Sequence, residues 1–88
     1  MRELDHLRAD IEHLDRVLIG LIGTRVRTAR RAGQLKRAAG LPIRDPAQEV
    51  AVLERAARLA GEAGLPVEAT RELFARLVGL ARQAELEP

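Results

Sequence analysis

Lys36 is the only lysine among the chain's 15 basic residues; the other 14 are arginines. An ammonium is a compact point charge with three donors, whereas a guanidinium is a wide planar fork. Chemistry that needs one small, fixed cation would explain the exception. Arg25 stands eleven residues earlier, in a stretch with helical periodicity. Eleven residues are close to three full turns, so both side chains leave nearly the same face. Their bases lie ~16 Å apart along the axis, and two long side chains can converge on a small anion between them. Arg25 also sits in an apolar seam, between Leu21 and Thr28. A guanidinium there is costly unless it is paired. It pairs either with an acid of another chain or with a ligand carboxylate, which its fork suits.

Four further positions carry chemistry of the same kind. Asp45 and Glu49 are one turn apart at the start of a second helix. Each also has a structural reading: Asp45 as a helix cap and Glu49 as an acid favoured by the helix dipole. Glu85 shares a stripe with Phe74, Val78 and Ala81, which sets a carboxyl group beside apolar surface unless the end of that helix frays. Arg8 is 17 residues before Arg25, ~25 Å along the helix, too far to share a small ligand within one chain. In an antiparallel pair, Arg8 of the partner subunit would approach the Arg25 region. His6 and His13 lie one heptad apart. A metal would need more ligands than these two, so they read as surface histidines and no metal is expected.

These residues require helices to hold them. The first segment, about 3–39, places Leu4, Leu7, Ile11, Leu14, Leu18 and Leu21 at alternating steps of three and four, and continues through Arg25, Thr28, Ala32 and Leu35. That is one long amphipathic helix with a near-heptad seam. Its acids all fall in the first half and most of its cations in the second, as the dipole prefers. Gly20, Gly23 and Gly33 each cost roughly 1 kcal/mol relative to Ala and mark a bend or a close approach. "AAGLPIRDP" (38–46) and "GEAGLP" (61–66) are breaks, with glycine ending a helix and proline following. The second helix, about 46–62, would bury Val50, Leu53, Ala57 and Ala60. The third, about 66–85, would bury Leu73, Phe74, Leu77, Val78, Ala81 and Ala84. The outer arginines Arg30, Arg31 and Arg37 read as solvated surface.

Length turns this into an assembly. A helix of ~37 residues is ~55 Å long, whereas a compact chain of 88 residues has a radius of gyration near 12 Å. Two short helices cannot cover so long a seam. The expected architecture is therefore all-α: a single domain over 1–88 with three helices, intertwined with a second copy as a homodimer. A break at Gly20 or Gly23, giving a four-helix monomer, is the alternative.

Composition excludes several classes. There is no cysteine, hence no disulfide or cysteine metal site. No apolar run approaches the ~20 residues of a membrane span, and "MRELDHLRAD" lacks the apolar core of a signal peptide. A cytoplasmic protein is expected. The basic outer face could contact phosphates, but one Phe and no Tyr or Trp leave nothing for bases to stack on, so nucleic acid is not the expected partner.

In order and spacing, "LRADIEHLD" (7–15), "LIGTR" (21–25), "AGQLK" (32–36), "GLPIRDPAQE" (40–49) and "LFARLVGLARQAE" (73–85) resemble the small all-helical, AroQ-type chorismate mutases along nearly the whole chain. The resemblance implies an intertwined homodimer that rearranges chorismate to prephenate without cofactor or metal. It assigns Arg8 to the arginine donated across the interface, Arg25 to the carboxylate clamp of the same chain, and Lys36 to the ether-oxygen cation. Asp45 and Glu49 fall near the substrate's C4 hydroxyl. Gln48 departs from the usual arginine, Ala81 from a frequent serine, and Glu85 from the common glutamine that donates to the ether oxygen; some fungal members also carry glutamate there. Two related readings keep the fold: a mutase for 4-amino-4-deoxychorismate or an isochorismate pyruvate-lyase. A third is a weakly active module that works beside a partner enzyme of the aromatic pathway.

Overall fold

The computed structural model covers residues 1–88 and contains three helices: α1 (Arg2–Ala38), α2 (Pro46–Glu62) and α3 (Val67–Leu86). There is no strand. α1 runs unbroken through Gly20 and Gly23, so the four-helix alternative is not taken. Glu3 and Asp5 occupy its first turn and Lys36 and Arg37 its last, where each sign suits the dipole.

Both chain reversals use the same four residues, Ala-Gly-Leu-Pro, at 39–42 and 63–66. In each, the glycine takes a left-handed conformation, with φ of 70° at Gly40 and 71° at Gly64. Leu41 N then donates to Lys36 O at 2.8 Å, and Leu65 N to Ala60 O at 2.9 Å. This is the six-to-one closure that satisfies carbonyls at a helix end. Asp45 caps α2, accepting from Gln48 N at 3.1 Å, with Pro46 as the first helical residue.

α3 is the middle element. The second half of α1 packs along it on one side and α2 on the other, while α1 and α2 do not pack against each other. The row of α2 facing α3 is Val52, Ala56 and Ala60. This corrects the expected stripe: Val50 is exposed, and Leu53 and Ala57 lie half-buried at the flank. α2 has a single neighbour, and the small residues four apart allow the closer approach, so that row wins. On α3, Val78 and Ala84 are buried, Phe74, Leu77 and Ala81 are half-buried, and Leu73 is exposed.

Gly33 is the only buried residue of α1. A Cβ built there would lie 2.4 Å from Glu85 O and 2.7 Å from Glu85 Cα, so the two backbones cross where only glycine fits. Around that crossing, Arg37 donates to Glu85 O at 2.6 Å and Glu87 O at 2.7 Å, and Arg30 Nε to Glu87 Oε2 at 2.7 Å. Arg30 and Arg37 are thus not free surface charges: they hold the end of α3, whose last carbonyls lack helical partners. Arg31 is exposed, as expected.

Six of 88 residues are buried, too few for a domain of this size to stand on its own core. Residues 1–20 are exposed throughout, and the seam from Leu4 to Leu21 stays 41–62% exposed. The radius of gyration is 16.3 Å and the longest dimension 58 Å, well above the ~12 Å of a compact chain. No helix is long and apolar enough to cross a membrane.

Candidate active site

Three helical rows face a common cleft of about 370 Å³. From α1 come Arg25, Thr28, Ala29, Ala32 and Lys36; from the start of α2, Asp45, Gln48, Glu49, Val52 and Arg55; from α3, Val78, Ala81, Arg82 and Glu85. Each row advances in steps of three or four residues, with one adjacent pair in each (Thr28–Ala29, Gln48–Glu49 and Ala81–Arg82), so each is one face of its helix. Arg25, Lys36, Asp45, Gln48, Glu49, Ala81 and Glu85 all line this one cavity; helical spacing had set Arg25 and Lys36 on one face, and the family resemblance joined the others to them. Arg8 does not reach it in this chain. It stands on the exposed arm, 70% accessible, with Asp5 at 3.9 Å.

Lys36 Nζ donates to Ile43 O at 3.0 Å and to Glu85 Oε2 at 3.2 Å, with both side chains half-buried. Two of its three N–H donors are thus committed and one remains. The loop that follows α1 supplies the carbonyl, and the Gly33 crossing sets where Glu85 stands. An ammonium fixed by a carbonyl and a carboxylate is a preorganised positive charge.

Asp45 combines the capping role with a place in the cleft wall. Glu49 forms a bidentate ion pair with Arg82, Nε–Oε2 3.1 Å and a second nitrogen–oxygen contact of 2.5 Å. The Arg82 hydrogen bonds hold the Glu49 carboxyl below its ordinary value, against an opposing effect of burial, with smaller help from the charges of Arg82, Arg44 and Lys36. The same bonds raise Arg82 further. Arg25 and Arg55 have no ion-pair partner. Four cations meet three carboxylates in the cleft, and two of those carboxylates are engaged by Lys36 and Arg82. The free positive charge left over suits an anionic ligand.

Arg82 and Arg55 escaped the sequence reading. Arg82 lies three residues before Glu85 and four after Val78, so its face was legible. With 14 arginines in the chain, its type alone drew no attention.

Comparison with known proteins agrees with this architecture. Residues 7–86 match the family described as chorismate mutase type II. The chain is 33% identical over 78 residues to the T-protein of Haemophilus influenzae, which covers 89% of this chain and 21% of that protein. It is 31% identical over 88 residues to the bifunctional chorismate mutase/prephenate dehydratase of Aquifex aeolicus, covering 97% of this chain and 24% of that protein. The chain thus spans less than a quarter of the length of these relatives. No solved structure matches it significantly. On the match of 7–86, and with its three-helix form, the chain belongs to the chorismate mutase type II family of isomerases.

Proposed function

We propose that the chain converts chorismate to prephenate as a homodimer, in aromatic amino-acid biosynthesis. The observation that carries this is the convergence of Arg25, Lys36 and Glu85, from two helices far apart in sequence, on one cation-rich cleft. In the rearrangement an ether C–O bond breaks as a C–C bond forms, electrons moving in a six-atom cycle with no proton transferred. The protein's tasks are then orientation and charge stabilisation. Arg25 and Arg8 of the partner subunit clamp the substrate's two carboxylates in a reactive chair-like conformer. Lys36 directs its remaining N–H at the ether oxygen, which gains negative charge as the bond stretches, so the contact strengthens in the transition state. Asp45, Gln48 and Glu49 surround the C4 hydroxyl. Ala81 offers apolar contact only. Glu85 restrains Lys36 through their ion pair.

The homodimer reading rests on the uncovered Leu4–Leu21 seam, whose near-heptad spacing suits a second long helix. Purified protein incubated with chorismate is expected to yield prephenate, and absence of product would exclude the reading. A parallel measurement of kcat/KM on 4-amino-4-deoxychorismate tests the substrate, because Asp45 and Glu49 could accept from either a hydroxyl or an ammonium. Turnover only after a pathway enzyme is added would assign the chain to a partner-dependent module.

A further inference from the structure

We propose that Arg82 is a substrate-binding residue, held by Glu49 and transferred to a carboxylate of the ligand on binding. The inference rests on the proposed dianionic substrate and adds a recognition element to the same site.

Glu49 already occupies the Arg82 fork with the two-point geometry that a ligand carboxylate would adopt. Replacing one carboxylate by another keeps the guanidinium satisfied, and the exchange leaves Glu49 free to accept a hydrogen bond from the ligand. Arg82 stands on the cleft wall between Val78 and Glu85, so a carboxylate it holds lies within reach of the group Lys36 would contact. Its side chain is 40% exposed, which gives the guanidinium room to turn. The first turn of α2 supplies no cation of its own to the cleft: Gln48 and Asp45 are the residues beside Glu49 there. A guanidinium from α3 fills that deficit from the opposite wall. A plain strut between α2 and α3 would explain the ion pair, and the test must separate the two roles.

Initial rates are measured for wild type, Arg82→Met and Arg82→Lys with chorismate and with each of its two monomethyl esters, alongside thermal melts. Arg82→Met is expected to raise KM for chorismate roughly ten- to hundredfold, the factor of a lost charged hydrogen bond, with kcat changed less. The ester that masks the carboxylate held by Arg82 loses affinity in wild type but loses little more in Arg82→Met, while the other ester is penalised equally in both. A strut gives no such ester-specific coupling. Arg82→Lys keeps the charge without the fork and shows the same coupling at smaller size. It carries the test if the Met variant melts far below wild type. An unchanged KM, or equal ester penalties in wild type and both variants, overturns the Arg82 assignment alone. No turnover of chorismate by wild type overturns it together with the reading of the site.

Discussion

At the residue scale, the cleft assigns distinct work to chemically similar groups. Lys36 is clasped by Ile43 O and Glu85, a fit for a compact ammonium. A guanidinium would overfill that space and project into the ligand's. Lys36→Arg is expected to lose most of kcat, by about tenfold or more, and near-normal turnover would exclude Lys36 as the ether-oxygen cation. Glu49 gives a stability prediction. Its carboxyl is held below the ordinary value chiefly by Arg82, so the folded state binds its proton less readily than the unfolded chain. The pair's contribution is full above the unfolded value and is lost as pH falls through the folded one. Glu49→Gln should therefore unfold at lower urea than wild type at neutral pH, with the gap closing on acidification below ~4. A gap that persists in acid would mean that the pair is not its source.

At the element scale, Gly33 ties packing to the site. Helix propensity favours alanine over glycine by about 1 kcal/mol, but a Cβ at Gly33 meets backbone atoms of Glu85, and overpacking costs about 1–3 kcal/mol. Gly33→Ala should lower both the melting temperature and kcat, because the atoms that must move carry Glu85. Gly61→Ala, with open space around it, should stabilise slightly and serves as the control. If Gly33→Ala leaves kcat unchanged, the crossing does not position Glu85. The three helices and the shared face of Arg25 and Lys36 were legible because steps of three, four and eleven fix which face a side chain leaves; Asp45, Gln48, Glu49 and Ala81 were joined to them only by the family resemblance, since no local step relates one helix to another. Asp45 and Pro46 marked the start of α2 by chemistry local to one turn. The buried row of α2 was not legible: Val50–Leu53–Ala57 and Val52–Ala56–Ala60 lie on overlapping faces, and only the position of α3 chooses between them. Arg37 is exposed as expected, but its bonds were not legible, since Glu85 O and Glu87 O stand 48 and 50 residues along the chain.

At the scale of the whole molecule, the seam and the site are proposed to be one problem. A second long helix would cover Leu4 to Leu21 and bring Arg8 of the partner subunit toward Arg25. Ile11→Glu, at the middle of the seam and 58% exposed in the chain alone, should then shift the protein toward monomer in sedimentation and abolish activity without touching the cleft. A fully active monomer would defeat both the dimer and the shared arginine. The paired Ala-Gly-Leu-Pro reversals have a consequence in time. Each is closed by backbone hydrogen bonds around a left-handed glycine, so neither offers a ready hinge. If Arg82 turns to meet the ligand as proposed, that is a picosecond-to-nanosecond event for an exposed group, not a microsecond-to-millisecond lid motion. The proposed turnover is then expected to be limited by a step other than the opening of a lid at either reversal.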